Sequence, residues 1–160
     1  MTPRKIVLLR HADEPNDPVH PDDPDLSAAG RARAEKLARY IPKMCGRPDF
    51  VLAAAPNRTS VRAFLTMRPL CDALGPRLDA SIKSNKSDAL AVTLLTEPVF
   101  EGKLILICWT HTELPILAEA LKAPRGEYPD PWEEAVYDLL LELSYGRRGK
   151  PSVKSITQPF

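Results

Sequence analysis

Three apolar runs in this chain each end on groups that could handle an anion. The run IVLL (Ile6–Leu9) is followed directly by Arg10 and His11. The run LILIC (Leu104–Cys108) is followed by Trp109, Thr110 and His111. The run FVLAA (Phe50–Ala54) leads into APNRTSVRAFLT, which carries Arg58 and Arg62. Two histidines and up to three arginines therefore follow the ends of apolar segments, and that collection suits a phosphoryl group. A guanidinium presents planar, paired donors that match phosphate oxygens. A helix starting near Thr59–Val61 would add backbone N–H donors and a positive dipole end. A histidine among arginines has its charged form disfavoured and stays neutral near pH 7. A neutral imidazole can attack phosphorus and carry the group. A second histidine and the arginines can stabilise charge on the transferring oxygens.

These groups meet only if the runs are adjacent strands. Lys5–Leu9, Phe50–Ala54 and Leu104–Cys108 read as strands, and their unbroken apolar character suits a sheet covered on both faces. The segment Val136–Tyr145 fits a strand or a helix, and Ser152–Thr157 reads as a last edge strand. Between them lie helical patterns. Leu26–Ile41 places Ala34, Leu37, Ala38 and Ile41 on one stripe, with Ser27 as N-cap. Thr59–Leu74, Ser87–Leu95 and Glu113–Lys122 follow, with Pro69 expected to bend the first of these and Pro115 tolerated in the first turn of the last. Alternating strands and helices indicate an α/β domain with a mostly parallel sheet, spanning residues 1–160 as one unit. In such sheets ligands bind beyond the carboxyl ends of the strands, where the histidines and arginines lie.

Composition narrows the partners. With 44% hydrophobic residues the chain should fold as a globule. A formal net charge of +1 gives no global field to recruit nucleic acid or an acidic membrane, so an anion site must be local. The three cysteines, Cys45, Cys71 and Cys108, show neither paired nor metal-ligand spacing. The start of the chain lacks the pattern of a signal peptide, and no segment approaches 18 apolar residues, so a cytoplasmic protein is expected. The 17 prolines cluster at 15–24, 124–131 and 151–159 and mark loops. The pair Arg147–Arg148 reads as a solubilising turn that would steer an acidic substrate only from the same rim.

LLRHADEP followed by DLSAAGRARA resembles the opening of the histidine phosphatase, or phosphoglycerate-mutase-like, superfamily. RAFLT (Arg62–Thr66) resembles its second-arginine motif. LICWTHTELPILAEAL resembles a branch with a tryptophan two residues before the second histidine. The resemblance runs from about Lys5 to Leu121. It implies a three-layer αβα sandwich and a phosphatase that hydrolyses phosphomonoesters through a phosphohistidine on His11, without metal or other cofactor. Arg10 and Arg62 would bind phosphate and His111 would donate to the phosphoryl oxygens. Arg58 competes with Arg62, whose RAFLT spacing favours it. Glu113, two residues after His111, is the nearest general acid, with Asp13, Glu14, Asp88 and Glu97 as others. Thr112 and Ala55 depart from the usual glycine and serine. The substrate would be a phosphorylated small molecule or a phosphoprotein. The short stretch between Leu74 and Leu104 leaves little sequence for a lid, which favours hydrolysis over a mutase reaction. Two other readings stand beside this one. One is a phosphate- or phosphoprotein-binding module with weak or no turnover. The other is a metal hydrolase built on His11, Asp13 and His111, against which the neighbouring Arg10 would repel a cation.

Overall fold

In a computed structural model, residues 2–147 and 149–160 are described, and Arg148, half of the basic pair above, lies outside them. The strands are β1 (Lys5–Arg10), β2 (Phe50–Ala53), β3 (Leu78–Asp79), β4 (Leu104–Trp109), β5 (Leu139–Ser144) and β6 (Ser152–Thr157). The α-helices are α1 (Ala28–Met44), α2 (Arg62–Leu74), α3 (Ser87–Thr96) and α4 (Leu114–Ala120). One sheet runs β3-β2-β4-β1-β5-β6. The first four strands in that order pair in parallel. β5 is antiparallel to β1, and β6 antiparallel to β5.

The helix layers follow from handedness. β1→α1→β2 and β2→α2→β3 step towards one edge, so right-handed crossovers put α1 and α2 on the same face. β3→α3→β4 steps back, which places α3 on the other face. The packing agrees: α1 lies on α2, and α3 on α4. The result is the expected αβα sandwich. Covered on both sides, Ile6–Leu9 and Leu104–Trp109 have no solvent exposure, which explains their unbroken apolar sequence.

Several boundaries differ from the sequence reading. The ambiguous Val136–Tyr145 segment becomes a strand only from Leu139, where pairing with β1 begins. β3 was not foreseen; two residues are too few to show a period. α2 begins at Arg62 instead of Thr59, because the Asn57 side chain accepts the N–H of Thr59 at 2.8 Å and of Ser60 at 3.0 Å and holds a turn there. The residues between Leu74 and Leu104 form β3, α3 and two single 3₁₀ turns, with α3 packed on α4.

Candidate active site

β4 lies between β1 and β2, and Arg10 is paired with Trp109 while Ala53 is paired with Cys108. The carboxyl ends of all three strands therefore open at one place. The chain leaves β1 towards one edge and β4 towards the other, so this is also the point where the sheet's winding reverses.

The loop after β1 is fixed from two sides. The Ser27 side chain caps α1 by accepting the Gly30 N–H at 3.0 Å and donates to the Asp13 carbonyl at 3.1 Å. The Ser27 backbone N–H donates to that carbonyl at 2.9 Å. A Cβ at Gly30 would stand 2.4 Å from the Asp13 oxygen, so only glycine lets the helix approach this closely. From the other side, the Thr66 hydroxyl accepts the Ala12 N–H at 2.9 Å while donating to the Arg62 carbonyl at 2.7 Å. The serine and glycine of LSAAG and the threonine of RAFLT thus serve one end: they hold residues 11–13 rigid.

His11 is 3% exposed. Its Nδ1 lies 2.8 Å from the Ala12 carbonyl, an acceptor only, so Nδ1 carries the proton and Nε2 presents its lone pair. Burial, aided by the charges of Arg10 and Arg62, pushes the His11 pKa down to about 4, so the ring is neutral at pH 7. A neutral ring with a fixed tautomer and an unprotonated Nε2 has the form that a nucleophilic imidazole needs.

Arg10 is 1% exposed and forms no ion pair among the described residues. Its Nη1 donates to the carbonyls of Glu134 and Val136, and its Nη2 to the Tyr137 hydroxyl at 3.2 Å. The guanidinium carbon stands 3.9 Å from the centre of the Tyr137 ring, an additional cation–π contact. Its Nε is buried with no partner among the described residues. Burial lowers its pKa from the ordinary arginine value, as expected of a desolvated cation. Arg62 enters from the first residue of α2. Its Nη1 donates to the Asp23 carbonyl at 2.8 Å, its Nη2 lies 3.0 Å from Glu14 Oε1, and its Nε is likewise buried and unpartnered. His111 is half-buried, and burial together with Arg10 lowers its pKa. It borders a pocket of about 340 Å³ that extends to Trp132 and Glu134. A larger groove of about 650 Å³ runs between α1 and α2 past Arg31, Leu65 and Arg68, apart from these strand ends.

Two residues expected as possible contributors lie elsewhere. Arg58 is exposed on the turn before α2 and makes no hydrogen bond or ion pair among the described residues. Glu113 precedes α4, and its carboxylate accepts the Ser87 hydroxyl at 3.0 Å, on the side of α3. Ser87 also accepts the Trp109 indole N–H at 3.1 Å, so Trp109 is held as a core residue with no solvent exposure. The carboxylate that faces the histidine is Glu14, with Oε1 3.8 Å from His11 Nε2. Asp13 instead pairs with Arg33 at 3.2 Å, and Arg33 also donates to Gln158 and Phe160. No cluster of three His, Cys, Asp or Glu residues suited to a metal ion occurs among the described residues.

Tyr137 was not found in the sequence. It comes from the segment between α4 and β5, anchored where Trp132 donates its indole N–H to the Val136 carbonyl at 3.1 Å. The only available signal was a polar-tipped aromatic just before a strand, which is common and unspecific.

Known structures share this architecture. The protein histidine phosphatase SixA, solved with tungstate, superposes with a TM-score of 0.70 over 96% of each chain at 12% identity. The chain has the histidine phosphatase fold. A mycobacterial glucosyl-3-phosphoglycerate phosphatase, solved with inorganic phosphate, shares it with a TM-score of 0.60 over 97% of this chain and 96% of that one, at 15% identity. No protein-family model and no curated protein matches the sequence. Within the histidine phosphatase fold, identities this low speak for the architecture, and the chemistry must be argued from the site itself.

Proposed function

We propose that this chain is a phosphatase that hydrolyses phosphomonoesters through a phosphoryl group carried on His11 Nε2. The observation that carries the reading is Arg10. A guanidinium that is 1% exposed, without a carboxylate partner among the described residues and with an unpartnered Nε–H, is a desolvated cation suited to pair with an anion. A phosphoryl dianion supplies that charge. It would accept from the Nε–H groups of Arg10 and Arg62 and place phosphorus before the lone pair of His11 Nε2. His111, on the neighbouring strand end, would donate to an equatorial oxygen. Attack forms the Nε2–P bond and breaks the ester P–O bond. Water then attacks the phosphorus, restores the imidazole and releases phosphate. The Nδ1–H held by the Ala12 carbonyl keeps the ring orientation and offsets charge as the phosphoimidazole forms.

The oxyanion complexes of two proteins with this fold support the same reading, since tungstate and phosphate are both tetrahedral anions. The substrate class is a phosphorylated small molecule or a phosphoprotein, and the protein acts in the cytoplasm. No helix among the described residues is long and apolar enough to cross a membrane. The test is turnover of an aryl phosphate by wild type and His11→Ala. The proposal expects loss of about three orders of magnitude or more, in line with the removal of a covalent nucleophile. Equal turnover by both proteins would end it. Phosphate binding without any turnover by wild type would make the chain a binding module.

A further inference from the structure

We infer that Glu14 is the proton donor to the leaving group, and the proton acceptor from water in the second step. This rests on the phosphatase reading above and deepens it. Glu14 Oε1 takes Arg62 Nη2 at 3.0 Å and stands 3.8 Å from His11 Nε2. It therefore lies where an anionic oxygen meets both Arg62 and the front of Nε2. The side chain is one-third exposed, so it lies at the mouth of the pocket and is not locked into the core. Asp13 is held by Arg33, and Glu113 by Ser87. Among the described residues Glu14 is the only carboxylate within 4 Å of a side-chain nitrogen of His11 or Arg62.

When a phosphomonoester enters, its dianion takes over Arg62 and the front of Nε2. Two negative charges cannot share that seat, so Glu14 swings outward, and its acid form is the one that serves the leaving group. Its Cα is three residues from the nucleophile, on the loop fixed by Ser27 and Thr66. The carboxyl therefore stays beside the phosphoryl group and can reach the ester oxygen on the side away from His11. The Nε2 lone pair forms the N–P bond. The P–O bond breaks with its electron pair on the leaving oxygen, which takes the Glu14 proton and departs as an alcohol. Glu14, now a carboxylate, accepts a proton from the incoming water as its oxygen bonds to phosphorus. The N–P bond electrons return to Nε2, phosphate leaves, and Glu14 is protonated again.

Single-turnover phosphorylation by an alkyl phosphate and by 4-nitrophenyl phosphate separates this role from a structural one. Nitrophenolate departs without a proton, and an alkoxide does not. Glu14→Gln should slow the alkyl ester by about 10²–10⁴-fold, the usual range for general acid catalysis, and the nitrophenyl ester far less. Glu14→Asp should recover part of the alkyl ester rate. Glu14→Gln should also bind inorganic phosphate at least as tightly as wild type, since a competing carboxylate is gone. Equal losses on both esters, no loss on either, or weakened phosphate binding would overturn the inference while leaving the His11 reading intact. If wild type forms no phosphohistidine from either ester, the phosphatase reading itself fails, and this inference with it.

Discussion

β1 begins and ends on a cation, and the two are treated in opposite ways. Lys5, at its start, donates to Glu142 of β5 at 2.8 Å, and the Glu142 side chain is 7% exposed. Arg10, at its end, is more deeply buried and has carbonyls, a phenol and an aromatic face around it, but no carboxylate among the described residues. The first arrangement closes a charge pair within the fold and fixes β1 against β5. The second leaves a positive charge open beside a neutral histidine. A buried cation without a partner is costly, and such costs persist where a ligand completes the site. One strand thus contrasts a charge used for structure with a charge held for an anion.

Substitution at the two ends should separate activity from stability. Arg10→Met should lower kcat/KM by about three orders of magnitude, comparable to removal of an arginine that stabilises a transferring phosphoryl group. Lys5→Met should leave turnover near wild type and lower stability by about 3 kcal/mol, since it strands the Glu142 carboxylate. Chemical denaturation and steady-state assays of both variants check this. A variant of Lys5 that loses activity in proportion to Arg10 would erase the contrast.

The open end should also show in the pH dependence of stability. His11 has a native pKa of about 4 against 6.5 unfolded, because burial disfavours its charged form. The unfolded chain binds the extra proton between those values, so this residue costs no stability above pH 6.5. Between pH 6.5 and 4 the protein should lose about 3 kcal/mol through it. His11→Gln, measured by denaturation at pH 7 and pH 4.5, should remove most of that slope. An unchanged slope would mean that His11 is not held neutral by burial.

Smaller effects follow at the supports. Thr66→Val leaves the buried Ala12 N–H without its acceptor and should cost about 1–3 kcal/mol, with a measurable fall in kcat as the loop carrying His11 loosens. The smallest effect belongs to Arg58→Ala, whose side chain is exposed on the turn before α2; its turnover should stay within about twofold of wild type, since exposed substitutions away from such features are nearly neutral.

What the sequence disclosed follows the same division. β1, β2 and β4 were legible because strands covered on both faces must be apolar throughout, and the residues just past their ends had to include the chemistry. Arg10, His11 and His111 could be named from that placement, Arg62 was preferred to Arg58 only through the RAFLT resemblance, and the structure puts all four at one end of the sheet. Side-chain direction was not legible. Glu113 is nearer to His111 in sequence than any other acid, yet it turns to Ser87, while Glu14 turns back to Arg62. Tyr137 lies more than a hundred residues from Arg10, on a segment with no period of its own, and only the antiparallel return of β5 beside β1 brings it over the guanidinium. The start of α2 was misread because a single asparagine takes the N–H groups that a helix would otherwise use.

The central claim is that His11 Nε2 carries a phosphoryl group. Wild type and His11→Ala should be pulsed with a ³²P-labelled phosphomonoester, quenched in alkali and digested for peptide mapping. The account predicts an acid-labile, alkali-stable label on the peptide containing His11 in wild type and none in the variant. Phosphate release by wild type with no labelled His11 peptide, or the same label in the variant, would contradict it.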